Sequence, residues 1–132
     1  MAFAPLKILI ADDEPSVLEI MVRKVASAGF KVISAKDGQE AWEKIQSENP
    51  DVVLLDLIMP HMDGFGVLKQ LRKNPPTGKW IPVIIISAMD EVPNMQNCFE
   101  LLADHYLIKP CTIEDIFKSI KLMTSLIPLR NP

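Results

Sequence analysis

Short apolar runs alternate with amphipathic segments along the whole chain. Five runs have the length of a β-strand, and several are apolar on consecutive residues, as in parallel strands buried on both faces. The predicted strands are 6–11, 31–35, 51–56, 82–87 and 105–108. Apolar residues at helical spacing fill the intervals. They are Leu18, Met21, Val25 and Ala28; Ala41 and Ile45; Phe65, Leu68 and Leu71; Val92, Met95, Phe99 and Leu102; and Ile113, Ile116, Ile120 and Met123.

Turn and capping residues agree with these boundaries. Pro15 suits the first turn of a helix, and Gly29 suits a helix end. Asp37-Gly38 opens the second helix, and Asn49-Pro50 closes it. Strict alternation of strand and helix predicts an α/β fold, and right-handed crossovers restrict it further. We expect a doubly wound five-stranded parallel sheet of order 2-1-3-4-5, with five helices on its two faces.

Composition narrows the classes of protein. The chain has 132 residues, 48% of them apolar and 23% charged, which is typical of one soluble domain with a real core. Its net charge of −3, with scattered Lys and Arg, argues against direct nucleic-acid binding through a basic face. No signal peptide or run of about 18 apolar residues is present, so no membrane insertion is expected. Two cysteines without metal spacing indicate reduced thiols and a cytoplasmic protein.

Polar residues stand at the carboxyl ends of four predicted strands. Asp12 and Asp13 follow the first, Asp56 ends the third, Ser87 ends the fourth and Lys109 follows the fifth. Ligands bind at this edge of doubly wound sheets, and neighbouring strands lie ~4.8 Å apart. Carboxylates held this close repel each other unless a cation intervenes. A hard divalent ion with oxygen ligands, Mg²⁺, meets that requirement and also attracts a phosphoryl group.

Four segments in this order resemble one family. ADDE, VLLDLIMPHMDG, SA and YLIKP closely resemble the receiver domain of two-component response regulators, the CheY-like fold. The resemblance runs from about Leu6 to about Ser125. It implies a single receiver domain over 1–132, with a core of about 6–125 and a short C-terminal tail, 126–132.

The resemblance assigns a role to each matching site residue. Asp56 would be the phospho-acceptor, taking its phosphoryl group from a sensor histidine kinase, a histidine phosphotransfer protein or a small acyl phosphate. Asp13 would bind Mg²⁺ (or Mn²⁺) directly and Asp12 mainly through water, with Asp56 and the backbone carbonyl of Ile58 as further ligands. Lys109 would pair with the phosphoryl oxygens.

Further residues would carry the switch and support the site. Ser87 would hydrogen-bond the phosphoryl group and couple to Tyr106 on the fifth strand. Pro110 would follow a cis peptide bond that aims Lys109 inward, and Gly64 would supply permissive backbone beside Asp56. Output would pass through helix 4, strand 5 and helix 5, to an unknown downstream protein or to a second copy in a dimer.

Other interpretations remain open for single residues and for the whole chain. Asp12-Asp13 could be a helix N-cap, and the chain could be a pseudo-receiver, an interaction module that is never phosphorylated. A phosphatase of the haloacid-dehalogenase type needs a second Asp where Ile58 stands, and ADDEPS would repel the phosphate of a flavin cofactor. Whether the receiver stands alone or belongs to a longer regulator is left open.

Three positions depart from or extend the family pattern. Receivers commonly carry Gly before the fifth strand where this chain has Leu102, so a left-handed cap there would be strained and the end of helix 4 reshaped. Ile58 and Met89 are bulky and apolar where they could screen a phosphoryl group from water, which suggests a long-lived aspartyl phosphate. His61 is expected to be a solvated loop residue, not a phosphodonor.

Overall fold

Strands and helices alternate without exception in the computed structural model, which describes residues 5–88 and 95–130. The order is β1 (Lys7–Ala11), α1 (Pro15–Ser27), β2 (Lys31–Ala35), α2 (Gly38–Glu48), β3 (Val52–Asp56), α3 (Gly64–Lys73), β4 (Val83–Ala88), α4 (Met95–Glu100), β5 (His105–Lys109) and α5 (Ile113–Arg130). All five predicted strands are present, with ends that differ by at most one residue.

The five strands form one parallel sheet of order β2-β1-β3-β4-β5, which confirms the predicted topology. Its register aligns the carboxyl ends: Ala11 pairs with Leu55, Asp56 with Ile86, and Ala88 with Lys109. Side chains that follow β1 and β5 therefore meet those at the ends of β3 and β4.

Each face of the sheet packs against its own layer of helices. Alternate residues of β1 point to opposite layers, so Leu9 and Ala11 belong to one buried cluster and Ile8 and Ile10 to the other. All four are at most 2% exposed. Burial on both faces explains why these strands read as continuous apolar runs instead of alternating ones.

One helix differs from the sequence pattern at its end, and the start of another cannot be compared with it, because the pattern there falls outside the described residues. Helix α4 begins at Met95 among the described residues, and the expected contributions of Met89 and Val92 lie outside them. Helix α5 continues to Arg130, so the expected tail from 126 is helical over most of its length. Within the described part of the chain, no helix combines the length and apolar character needed to cross a bilayer.

The connection from α4 to β5 was expected to be reshaped, because a left-handed cap at Leu102 would be strained, but the structure keeps that left-handed cap. Leu102 has a left-handed backbone with φ of 68°, and its carbonyl accepts a 2.9 Å hydrogen bond from Nε of Arg72. Arg72 also pairs with Asp104 at 2.8 Å and stacks 3.7 Å from the ring centroid of Trp80. Contacts from α3 and from the segment before β4 therefore hold this conformation in place of the usual glycine.

Candidate functional site

Three carboxylates meet at the carboxyl edge of the sheet. One oxygen from each of Asp12, Asp13 and Asp56 lies within 4.8 Å of the other two. Asp12 is buried, Asp13 is exposed, and the Asp56 side chain is 12% exposed. The predicted cluster is therefore formed, with one open side toward solvent.

Lys109 bridges two of these carboxylates. Its Nζ lies 3.1 Å from Oδ2 of Asp12 and 3.3 Å from Oδ2 of Asp56. The peptide bond from Lys109 to Pro110 is cis, as the family resemblance predicted. One ammonium against three carboxylates leaves a formal charge of −2, so the site is set to attract a divalent cation.

Burial and neighbouring charges shift the pKa values of both Asp56 and Lys109. Burial raises the pKa of Asp56, the neighbouring Asp12 and Asp13 add to the rise, and Lys109 opposes it. For Lys109, burial favours the neutral amine, but the attraction of Asp56 and Asp12 outweighs it and raises the pKa. The lysine is therefore cationic, whereas burial and the two neighbouring carboxylates together disfavour the charge on Asp56 despite the attraction of Lys109.

Ser87 is the polar side chain at the end of β4. It is 0% exposed, and its Oγ has no hydrogen-bond partner within the described residues. A buried hydroxyl without a partner costs about 1–3 kcal/mol. The register places Ser87 one residue beyond Ile86, the partner of Asp56 on β3. Its hydroxyl is thus available to a group that is added beside Asp56.

The loop after Asp56, residues 57–63, is closed by tight contacts at its base. The amide of Gly64 donates a 2.7 Å hydrogen bond to the carbonyl of Leu57. A Cβ at Gly64 would lie 2.6 Å from the carbonyl oxygen of Asp56. The expected reason for this glycine was wrong, because only Gly29 and Gly78 among the described glycines have positive φ. Glycine is required at position 64 because any side chain there would clash with the Asp56 backbone.

Sequence reasoning missed one group of contacts at this loop. His61 is exposed, as expected, yet its Nδ1 lies 3.0 Å from Oδ2 of Asp37. The amide of Glu40, followed by His61, lowers the pKa of Asp37. Beside them, Gly38 packs directly against the backbone of Met62. Asp37-Gly38 was interpreted only as a helix start, and residues so distant in sequence give no local signal of a contact.

The remaining candidates differ in their surroundings. Tyr106 is 8% exposed and packs in the cluster that includes Leu55 and Val83. Burial raises the pKa of Cys98 to about 11, which agrees with an inert packing residue. The Ile58 side chain is 56% exposed, and Met89 lies outside the described residues.

The donor set fits a hard divalent cation. Carboxylate oxygens are the ligands that Mg²⁺ takes, and it usually keeps several waters as well. Asp12, Asp13 and Asp56 offer such oxygens, and the exposed side at Asp13 leaves room for water. Lys109 and the hydroxyl of Ser87, which has no partner in the described part of the chain, are the groups that could bind a further anionic ligand. The arrangement can hold a phosphoryl group next to a carboxylate nucleophile.

Comparison with known proteins points to one family. Residues 8–121 match a family model described as "Response regulator receiver domain". The chain is 38% identical over 115 residues to "Probable transcriptional regulator ycf27" of Porphyridium aerugineum, covering 87% of this chain and 46% of that protein. It is 36% identical to "Alkaline phosphatase synthesis transcriptional regulatory protein PhoP" of Bacillus subtilis, covering 87% and 47%. The chain spans about half the length of these curated relatives.

Solved structures that resemble this chain belong to the same family. The receiver domain of the Francisella response regulator 1452 is 34% identical, with a TM-score of 0.81, over 89% of this chain and 95% of that one. Chemotaxis protein CheY4 of Vibrio cholerae is 28% identical, with a TM-score of 0.83, over 91% and 99%.

Proposed function

Because the chain belongs to the response regulator receiver domain family, which consists of phosphorylation-based signalling domains and not of classical enzymes, we propose that Asp56 is its phospho-acceptor. The observation that carries the proposal is the buried hydroxyl of Ser87, which has no hydrogen-bond partner among residues 5–88 and 95–130 and follows the β4 residue paired with Asp56. A phosphoryl group on Asp56 would give that hydroxyl an acceptor.

Transfer needs positioning and charge neutralisation more than acid–base chemistry. A carboxylate oxygen of Asp56 forms a bond to phosphorus while the bond from phosphorus to the donor breaks. The electron pair of the broken bond stays with the donor, on the imidazole nitrogen of a phosphohistidine or on the carboxylate oxygen of an acyl phosphate. The Lys109 ammonium already lies 3.3 Å from the Asp56 carboxylate, so it is close enough to pair with the phosphoryl oxygens after transfer. Ser87 donates to another of those oxygens.

Asp12, Asp13, Asp56 and the carbonyl of Ile58 would hold Mg²⁺, or Mn²⁺ in its place. When bound, the ion supplies the positive charge that lets the carboxylates and the phosphoryl group share one small site. The formal charge of −2 from the three carboxylates and Lys109 supports a divalent ion.

Receiver domains of this family act with histidine kinases. We propose a sensor histidine kinase or a histidine phosphotransfer protein as the donor. The signal leaves through α4, β5 and α5. Ser87 on β4 and Tyr106 on β5 couple the site to this surface, which contacts a downstream protein or a second copy of the receiver. Self-dephosphorylation is slow in this proposal.

Labelling by a small acyl phosphate tests the proposal directly. Wild type incubated with acetyl phosphate and Mg²⁺ should gain the mass of one phosphoryl group, and the gain should disappear with EDTA and in Asp56→Asn. Glu43→Gln, which removes an exposed carboxylate from α2, is the matched control and should label as wild type does. Unlabelled wild type would favour an interaction module that phosphorylation does not regulate. Labelling that persists in Asp56→Asn would refute the assigned acceptor.

A further inference from the structure

The start of helix α2 lies against the loop that follows Asp56. Gly38, the first residue of the helix, has no side chain and is buried against Met62, and an added Cβ would overlap the Met62 carbonyl oxygen. One residue earlier, Oδ2 of Asp37 lies 3.0 Å from Nδ1 of His61. The N-cap and the first residue of α2 therefore contact two adjacent residues of the loop.

The Asp37 carboxylate is held in place by a second hydrogen bond. Its other carboxylate oxygen, Oδ1, accepts a 2.8 Å hydrogen bond from the amide of Glu40 and caps the helix. The side chain is 8% exposed. The carboxylate is thus rigidly attached to α2, so the contact with His61 ties the loop to the helix.

In the middle of the loop, the Met62 amide donates a 2.8 Å hydrogen bond to the carbonyl of Pro60. The base of the loop is closed by the hydrogen bond from Gly64 to Leu57, and Met59 is buried. Ile58 is 56% exposed, and the His61 side chain is 71% exposed. His61 also has a left-handed φ of 69°, a conformation that a non-glycine residue keeps only when its surroundings hold it.

We propose that Asp37, Gly38 and His61 are positioning residues for the metal site, because they fix the loop that carries the Ile58 carbonyl. The inference rests on the proposed function, since it concerns the same site. None of the three touches the carboxylate cluster; they act through Met62 and the loop backbone. Outer-shell partners of a metal ligand typically change metal affinity by about 10–100-fold when they are removed.

Two pairs of variants test the proposal. Gly38→Ala places a methyl group against the Met62 backbone, whereas Gly66→Ala places one 2.8 Å from the flexible Met62 Cγ. The second variant therefore touches the same residue without pushing its backbone. His61→Gly removes the ring but accepts positive φ, and His61→Asn keeps a side-chain nitrogen near the position of Nδ1 and also tolerates positive φ.

Mg²⁺ affinity by isothermal titration calorimetry is the main readout, and the amide hydrogen exchange of Met62 in metal-free protein is the second. Gly38→Ala and His61→Gly should bind Mg²⁺ about tenfold more weakly. Both should also exchange the Met62 amide faster. Gly66→Ala and His61→Asn should stay within about twofold of wild type, well short of that loss. At saturating Mg²⁺, labelling of Asp56 should recover in the weakened variants, because the loss lies in metal binding.

The outcomes separate the two proposals. A wild type that neither binds Mg²⁺ nor accepts a phosphoryl group refutes the proposed function itself. If wild type does both, and His61→Gly binds Mg²⁺ as tightly with unchanged Met62 exchange, the positioning role is refuted while the function stands. The His61 pair decides the question even if Gly38→Ala fails to fold.

Discussion

Asp56→Asn should stabilise the metal-free protein at neutral pH, although it removes the proposed acceptor. With an effective dielectric constant of ~20, each repulsion from Asp12 and Asp13, whose oxygens lie within 4.8 Å, is worth about 3.5 kcal/mol or more, and the attraction of Lys109 at 3.3 Å about 5 kcal/mol. Solvent at the exposed Asp13 weakens one repulsion, while burial of Asp56 adds a penalty. We therefore expect a gain in unfolding free energy of about 1–3 kcal/mol.

The pH dependence has a definite sign. The pKa of Asp56 is raised in the folded protein, so its charge lowers stability as pH rises through that pKa. Below the unfolded value of about 3.9, both wild type and variant are neutral at this position and the difference vanishes.

Urea unfolding in EDTA, at several pH values and with Glu43→Gln as a charge-matched surface control, measures the effect. Saturating Mg²⁺ should reverse or narrow the gap, because a ligand at 100 times its Kd stabilises wild type by about 2.7 kcal/mol. The variant lacks one of the carboxylate ligands and should gain less. A variant that is less stable than wild type in EDTA at pH 7 would refute the charge argument, and so would a gain that does not shrink toward pH 4.

Three other changes have expected outcomes. Leu102→Gly should raise the unfolding free energy by about 0.5–1 kcal/mol, since glycine accepts the left-handed φ of 68° without strain; a lower melting temperature would contradict this. Arg72→Met should cost about 3–5 kcal/mol in urea unfolding because it leaves the buried Asp104 carboxylate without its cation. The control Arg23→Met, which breaks an exposed ion pair, should cost about 0.5 kcal/mol or less. Equal losses in the two variants would refute the argument that burial makes the Arg72 pair more important. Ile58→Ala should shorten the lifetime of the aspartyl phosphate, measured as phosphate release after the donor is removed; a wild-type half-life of seconds would contradict the screening role.

The periodicity of apolar residues was enough to predict the order of the elements. Continuous runs such as Val52–Leu55 identify buried parallel strands, because burial on both faces removes the polar alternation. Strand order followed from the handedness of crossovers, and register brought Asp12, Asp56 and Lys109 together as expected. Helix α4 is described over Met95–Glu100, so the first apolar position of its pattern, Val92, lies outside the described residues, and the last, Leu102, lies two residues past the end of the helix.

Contacts between distant segments were not predictable. The tie between Asp37 and His61 joins residues 24 positions apart, and Gly38 meets Met62 across a similar distance. Arg72, Trp80 and Asp104 likewise come from separate segments. Such contacts depend on how helices and loops pack, which local periodicity does not encode.

By itself, the sequence determined which residues lie at the strand ends, and therefore which side chains form the carboxylate cluster. Backbone geometry dictates this, because parallel strands present their carboxyl ends at one edge of the sheet. The tertiary structure was needed to show that Ser87 is buried with no hydrogen-bond partner among the described residues, that Gly64 is needed for space, and that Asp37 and Gly38 contact the loop after Asp56. Those facts depend on packing distances of a few ångströms between segments far apart in the chain, and such distances are fixed only when the whole core assembles.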